Sequence, residues 1–235
     1  MKKKTGIIGT AIVLTGSRAY GCVTCNPQLQ ESIFDSTFYP NLLTMLAAFI
    51  VLAVIIVLLT WMATKRDHMV TVKTPNAPRL TAIPLTAAAT VAGIGIGGFI
   101  DGIVLHQILQ WHEMLSHKIP PDTLLRKSVN MFWDGIFHLF TLVTSIVGIY
   151  LLWKLLHRKN INRSGYLLAG GISMGWGLFN LVEGIIDHHL LKLHNVRELN
   201  ADHDLWNYGF LAFSLLLLLA GWLWMKKGER AAYVA

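Results

Sequence analysis

Acidic and histidine side chains recur at matched spacing in two apolar stretches of this 235-residue chain. Residues 101–112 and 183–194 align without a gap. Both contain an acid, Gly, Ile, two variable positions, His, and a second His six residues later. An ionisable group at membrane depth costs several kcal/mol unless it is paired, solvated or bound to a metal. The shared pattern therefore predicts one polar site to which both stretches contribute.

Imidazole and carboxylate groups together form a ligand set that suits first-row transition metals. Their number is sufficient for one or two metal ions with supporting hydrogen-bond partners, and it does not distinguish zinc, iron or copper. The predicted metal-site residues are Asp101, His106, His112, Asp134, His138, Glu183, Asp187, His188, His189 and His194.

Two interpretations without a metal remain open for the same residues. Buried hydrogen-bonded pairs, such as Asp134 with His112, would hold a helix bundle together and bind nothing. A proton relay would use the same groups, although no acid marks the opposite halves of the helices. In an enzyme, Glu183 is the candidate general base.

The two cysteines of the chain, Cys22 and Cys25, form a CxxC pair. Such a pair can be a disulfide, a redox dithiol or a second metal site for copper(I). Attachment of a c-type haem is excluded because Asn26 occupies the position of the required histidine. The sequence leaves the other three interpretations open.

Apolar segments long enough to cross a bilayer contain most of the ionisable residues of the predicted site. The chain is 54% hydrophobic and 14% charged, which is unlike an ordinary soluble domain. A transmembrane helix needs about 20 mostly apolar residues. Five segments meet this condition: 42–64, 80–109, 130–153, 165–187 and 206–225.

The N-terminal part of the chain differs from the rest. Residues 1–21 place three lysines before a short apolar run, which predicts a signal peptide or an uncleaved signal anchor. Residues 22–79 hold the CxxC pair, one transmembrane helix and a cytoplasmic linker. Residues 80–235 form the predicted four-helix membrane domain with the His, Asp and Glu cluster.

Lysine and arginine are concentrated in every second connection between the predicted helices and in the C-terminal tail. By the positive-inside rule, this side is cytoplasmic. We therefore expect a protein of the bacterial inner membrane, with the histidine-rich helix ends and the CxxC pair on the extracytoplasmic side. The net charge of +7 mainly reflects the lysines and arginines that set the membrane orientation. The connections that carry them are too short for a nucleic-acid-binding patch.

The predicted fold is all-α, a polytopic transmembrane helix bundle. One helix separates the two matched stretches, so they run the same way through the bilayer, and the core is predicted to be four helices in two parallel helix-pair repeats. A weaker internal similarity relates residues 133–138 to residues 204–208. One extra transmembrane helix and the N-terminal signal or anchor segment precede this core.

Helical geometry predicts which residues of the matched stretches face the site. At about 100° per residue, Asp101 shares a face with His112, and Glu183 shares a face with His194. The first histidine of each stretch falls off these faces, so it either meets a second partner or follows the end of the helix. Glycines at residues 93–102 and 171–184 would let the helices approach closely.

Three motifs are specific enough to compare with a known family: Asp101-Gly-Ile-x-x-His106-Gln-x-Leu-Gln-Trp-His112, Trp133-Asp134-Gly-x-Phe-His138 and Glu183-Gly-x-x-Asp187-His188-His189. They resemble those of the bacterial membrane-protein family known as domain of unknown function 2243. The resemblance covers about residues 80–228. It implies a four-helix membrane domain and brings no assigned activity.

Two functional classes follow from these observations. A binding protein would use the cluster to handle a metal such as copper, or to help assemble another membrane enzyme, which would then be its partner. A membrane-embedded metal-dependent hydrolase or oxidase would act on a lipid-like substrate that enters from the bilayer. The lipid bilayer is a partner in both cases. The sequence has no nucleotide fingerprint, so neither a nucleotide nor a nucleic acid is expected.

Overall fold

Six α-helices make up most of the described chain. The computed structural model describes residues 26–73, 81–158 and 161–231. The helices are α1 (Pro27–Ile33), α2 (Phe38–Lys73), α3 (Ile83–Ile100), α4 (Leu124–Leu155), α5 (Gly165–Glu183) and α6 (His203–Ala231). These ranges contain no β-strand, which confirms the all-α class for this part of the chain. The predictions for residues 1–21, for Cys22 and Cys25, and for the proline-containing linker before residue 80 lie outside the described residues.

Five of the helices are long and apolar enough to cross a membrane, which is the predicted number. The candidate spans are Phe38–Leu58, Ile83–Ile108, Leu124–Leu155, Gly165–Leu190 and His203–Arg230. Many large apolar side chains on their outer faces are exposed, among them Leu139, Ile149 and Leu216. Such a surface fits hydrocarbon rather than water, so the lipid bilayer is its natural surrounding.

Helices α3 and α5 form the centre of the bundle, and glycines let their backbones touch. A Cβ atom on Gly175 of α5 would collide with the carbonyl oxygen of Thr90 and would lie 2.7 Å from the backbone nitrogen of Ile94. A Cβ atom on Gly93 would likewise collide with the backbone of Ile172. Only glycine permits this crossing, because no backbone atom at the contact can move away.

The remaining spans pack around this central pair. Helix α4 lies along α3, and α6 lies along α5. Helix α2 packs against α3 and α5 on the side of α4, where Phe49 stacks on Phe137 and Phe140 of α4 with ring centroids 5.7 and 4.3 Å apart. It thus fills the groove between α4 and α5, with α3 behind it. Met45 and Leu52 of α2 are fully buried in the same apolar cluster. The extra helix is therefore part of the bundle core.

Both central helices widen at the same end of the bundle. Helix α3 continues into a first π segment, Asp101–Ile108, and α5 continues into a second π segment, Gly184–Leu190. In a π-helix the backbone hydrogen bond joins residues five apart, as it does between the Leu109 N–H and the Val104 carbonyl at 2.8 Å. Each helix ends with its π segment, at Ile108 and at Leu190. The expectation that His112 and His194 share an α-helical face with the acids is therefore wrong.

Candidate metal centre

The π segments bring an acid and a histidine of each central helix to the same side. His106 follows Asp101 by five residues, and His188 follows Glu183 by five. Positions five apart diverge on an α-helix, but they come together where the hydrogen bonds also join residues five apart. His106 Nε2 accordingly lies 3.0 Å from Asp101 Oδ2. This widening explains why histidines that fall off the α-helical faces nevertheless point inward.

A sharp turn after each π segment returns the chain over the end of the bundle. Gln110 and Lys192, which occupy matched positions, have φ angles of 49° and 48°. This left-handed conformation is uncommon for residues other than glycine. The first turn is closed by the Trp111 N–H, which donates to the Leu105 carbonyl at 2.9 Å. The turns place the second histidine of each matched stretch above the helix ends.

These two histidines hold each other's loops through their Nδ1 atoms. His112 Nδ1 lies 2.8 Å from the Val196 carbonyl oxygen, and His194 Nδ1 lies 3.0 Å from the Met114 carbonyl oxygen. A carbonyl only accepts, so each Nδ1 carries the donated proton. Burial lowers the pKa of His194 well below its usual range, which keeps that imidazole neutral. Its Nε2 lone pair is therefore free for a metal.

Asp134 of α4 positions a third histidine. Its Oδ1 lies 2.9 Å from His106 Nδ1 and accepts a hydrogen bond from the Met114 N–H at 2.9 Å. A carboxylate behind an imidazole orients the ring and makes its other nitrogen a better metal ligand. The structure places Asp134 against His106 and not against His112, so the pair given as an example of a metal-free network is wrong.

Six side chains form one cluster of potential ligand atoms. Glu183 Oε1 lies 3.8 Å from His194 Nε2, and Asp101 Oδ2 lies 3.9 Å from His112 Nε2. All six residues are at most 3% exposed. Their ligand atoms make three overlapping groups, within each of which they lie no more than 4.8 Å apart: Asp101, His106 and Glu183; His106, His112 and His194; Glu183, His188 and His194.

Most of the potential ligand atoms in this cluster are not satisfied by hydrogen bonds. The exceptions are His106 Nε2 and Asp101 Oδ2, which pair with each other at 3.0 Å. Leaving a buried polar group unpaired costs about 1–3 kcal/mol, and folded proteins rarely do so. A cation among these atoms would satisfy several of them at once. The atoms without a partner are Nε2 of His112 and His194, both ring nitrogens of His188, Asp101 Oδ1 and both carboxylate oxygens of Glu183. Asp187 is also buried with two unpartnered oxygens, but it joins none of the three ligand groups.

Two of the predicted histidine ligands lie outside the three ligand groups. His138 Nδ1 bonds to the Asp134 carbonyl oxygen of its own helix at 2.6 Å. His189 Nδ1 bonds to the Gly184 carbonyl oxygen at 2.7 Å, and its ring packs against Tyr208. Both histidines are half-buried, and neither joins the three ligand groups. The structure thus separates them from the six residues that it brings together.

Some supporting residues were missed by reasoning from the sequence. Asn207 Oδ1 accepts from the Val196 N–H at 3.0 Å, and Asn207 Nδ2 donates to Asn195 Oδ1 at 2.8 Å. Asn207 thus holds the second loop as Asp134 holds the first. The weak similarity between residues 133–138 and 204–208 could have identified Asn207, because the Trp-Asn pair at 206–207 matches the Trp-Asp pair at 133–134.

A further acid, Glu113, was also missed because it follows the end of the predicted helix. Its side chain is buried, and its Oε1 lies 4.0 Å from Lys127 Nζ. Burial and the neighbouring Asp134 raise the pKa of Glu113 to about 7. At neutral pH, its carboxyl group is therefore divided between the protonated and ionised forms.

Comparison with known proteins identifies a family but no relative of known activity. The family model described as "Predicted membrane protein (DUF2243)" matches residues 88–228. This range includes all six clustered residues and most of α3 to α6. No curated protein and no solved structure matches the chain.

Proposed function

Since the chain belongs to the family described as predicted membrane protein DUF2243, a description that names no activity, we propose a function from the site itself. The protein binds one or two transition-metal ions in the buried histidine and carboxylate cluster. The observation that carries this proposal is the convergence of unpartnered imidazole nitrogens and carboxylate oxygens in one buried place.

The spacing of the ligand atoms supports this proposal. Ligands about 2.1 Å from a common ion lie roughly 3.0–4.2 Å apart. Asp101 is 3.0 Å from His106 and 3.9 Å from His112. Glu183 is 3.8 Å from His194. Because the ligands come from both central helices and both loops, a bound ion would tie these four elements together.

The donor types narrow the choice of metal. All donors of the cluster are nitrogen or oxygen, which suits zinc, iron, manganese or copper(II). Copper(I) prefers sulfur ligands, and the only cysteines of the chain, Cys22 and Cys25, lie outside the described residues. We therefore propose a nitrogen and oxygen site and leave zinc, iron and copper(II) to be distinguished by measurement.

We further propose that the core consists of two helix-pair repeats, α3 with α4 and α5 with α6. Matched hydrogen bonds support this arrangement. The Leu109 N–H donates to the Val104 carbonyl, and the Leu191 N–H donates to the Ile186 carbonyl, at 2.8 and 2.7 Å. In a repeat the ligands form matched pairs: Asp101 with Glu183, His106 with His188, and His112 with His194.

We place the metal centre at the extracytoplasmic end of an inner-membrane protein. The turns after both π segments lie at the same end of the bundle as the cluster, in connections that are poor in lysine and arginine. The opposite connections are rich in both, and such connections remain in the cytoplasm.

Two uses of the ion follow from its surroundings. In metal handling, including copper handling or assembly of another membrane enzyme, the loops 109–123 and 191–202 would have to open, since every clustered ligand is buried. In a metal-dependent enzyme, a lipid-like substrate would reach the ion from the bilayer, and Glu183 would be the general base. An apolar cavity that borders Asp101 favours this second use.

The proposal is tested by elemental analysis of the protein purified in detergent without added chelator. The test variant changes His112 and His194 to alanine, which removes two ligands. The matched control changes His138 and His189 to alanine, which removes two histidines that lie outside the three ligand groups. We expect about one or two ions per chain in the wild type and in the control, and loss of most of this metal in the test variant.

Two results would contradict the metal centre. One is equal loss of metal in the control and the test variant, which would indicate adventitious binding. The other is absence of metal from the wild type after growth with added zinc, iron, manganese and copper. The cluster would then be a metal-free network, and the test variant would differ from the wild type only in thermal stability.

A further inference from the structure

An apolar cavity of about 540 Å³ lies between α3 and α6, with α5 as its floor. Its walls include Trp111, Trp206 and Phe213, and its polar lining is limited to Asp101 and Asn180. Part of its α6 wall is exposed at the bundle surface, where Phe213 is 43% exposed. The cavity therefore opens within the candidate spans, towards lipid, and its volume is in the usual range for small-molecule sites.

The opposite groove of the bundle shows what normally fills such a space. Between α4 and α5, the apolar cluster around helix α2 includes Trp133, Phe137 and Phe140. Along α6, Trp206, Phe210 and Phe213 follow one another at the same spacing and line the cavity. The chain thus fills one groove with its own helix, while the described residues leave the other groove open.

The open groove carries polar groups that its counterpart lacks. Asn180 lines the cavity where the matched position on α3 is Gly98, and Asn180 Oδ1 is buried without a hydrogen-bond partner. The Oδ1 atom of Asp101, on the adjoining wall, is also without a hydrogen-bond partner. An apolar helix in this groove would leave the whole Asn180 amide without a partner, whereas a ligand oxygen could accept a hydrogen bond from its Nδ2 group.

Aromatic rings make up much of the remaining wall. Trp111 and Trp206 contact each other at a centroid distance of 5.0 Å, and Trp176 contacts Phe213 at 5.7 Å. The flat faces and edges of such rings pack well against another planar ring. The cavity thus combines a flat, aromatic interior with a single amide at its floor.

We propose that this cavity binds a lipid-soluble molecule with a planar, oxygen-bearing head of the quinone type. The head packs among the tryptophans with an oxygen that accepts from Asn180 Nδ2, and the hydrocarbon tail leaves between α3 and α6 into the bilayer. This ligand proposal extends the proposed metal-binding function and rests on it in one respect, because Asp101 belongs to both the cavity wall and the metal cluster. Phe210 adds a second link, since its ring centroid lies 5.3 Å from that of His188.

The test uses an alkyl benzoquinone with a decyl tail as the probe and the protein in detergent micelles. Binding is followed by quenching of tryptophan fluorescence, because three tryptophans line the cavity. The blocking variant is Gly209→Phe: Gly209 lines the cavity, and a Cβ there meets no atom within 4 Å. The matched control is Gly135→Phe on α4, where a Cβ also meets open space but lies outside the cavity.

We expect saturable quenching in the wild type and in Gly135→Phe, and binding weaker by about tenfold or more in Gly209→Phe. Decanol, which has the tail without the ring, should not displace the probe. Unsaturable or equal quenching in all three proteins would overturn the proposal in favour of partition into the micelle. Displacement by decanol would show a site for hydrocarbon alone. A dimer that dissociates on Gly209→Phe would show that a second copy occupies the groove.

Metal content is measured on the same samples, before and after treatment with a chelator. Absence of probe binding in protein that holds its metal would overturn the ligand assignment and leave the metal centre standing. Probe binding that persists in protein shown never to hold metal would overturn the metal centre and leave the ligand assignment standing.

Discussion

At the residue scale, the candidate centre depends on groups that orient the ligands as much as on the ligands themselves. Asp134 contacts both His106 Nδ1 and the Met114 N–H. Met114 in turn offers its carbonyl to His194. One carboxylate of α4 therefore fixes a histidine of the first π segment and, through one backbone unit, a histidine of the opposite loop. Such groups behind the ligands set both the tautomer and the direction of the free nitrogen.

Asp134→Asn is predicted to weaken metal binding without abolishing it. The amide oxygen can still accept from the Met114 N–H, but the negative charge behind His106 is lost, so metal affinity should fall by about 10–100-fold. The measurement is competition against a chromogenic chelator. Asp122→Asn is the matched control, because Asp122 is exposed and pairs with Arg126 on the surface. An unchanged affinity in Asp134→Asn would mean that His106 is not a ligand.

At the element scale, two departures from regular helix make the site possible. The π segments bring the first histidine of each matched stretch to the side of the acid that precedes it by five residues. The close crossing of α3 and α5 then brings the two acids and histidines to one place, since these helices carry both stretches. π-helical turns are rare and are often found at functional sites.

Gly175→Ala is predicted to damage this crossing. The new methyl group would meet the Thr90 carbonyl and backbone atoms of Gly93 and Ile94, which cannot rotate away, and the cost should be about 1–3 kcal/mol. Both the melting temperature in detergent and the metal content should fall. Gly135→Ala, where the methyl group meets open space, should be neutral or stabilise the helix by about 0.5–1 kcal/mol. Equal effects of the two changes would show that α3 and α5 do not cross so closely.

At the scale of the whole molecule, the distribution of lysine and arginine predicts the orientation of the bundle in the membrane. The cluster and both turns lie at one end, so the orientation would decide which compartment supplies a metal. Helix α2 supports the bundle from the side, because it packs against α3 and α5 and stacks Phe49 on α4.

The orientation is testable with single cysteines in a chain whose Cys22 and Cys25 are replaced by serine. Leu199→Cys lies in the loop beside the cluster, where Leu199 is 92% exposed, and His157→Cys lies in the exposed connection at the other end. We expect a membrane-impermeant maleimide to label Leu199→Cys on intact cells and to label His157→Cys only after the cells are opened. The reverse pattern would place the metal centre on the cytoplasmic side.

The sequence by itself determined the all-helical class, the five apolar spans and the residues from which the cluster is drawn. These features depend on local composition, on apolar length and on the spacing of acids and histidines. The family was also within reach of the sequence, because its motifs lie in the same stretches. The sequence could not separate His138 and His189, which lie outside the three ligand groups, from the clustered histidines, because all of them follow the same pattern.

Tertiary structure alone decided which of those residues meet. An α-helical register of about 100° per residue places His106 and His188 off the site, and nothing in the local sequence distinguishes a π segment from a continued α-helix. The turns at Gln110 and Lys192 likewise could not be predicted, because neither position has the glycine that usually indicates a left-handed conformation. Their left-handed conformation allows the loops to exchange hydrogen bonds between His112 and Val196, and between His194 and Met114. Those contacts join residues distant in the chain, so only the folded bundle specifies them.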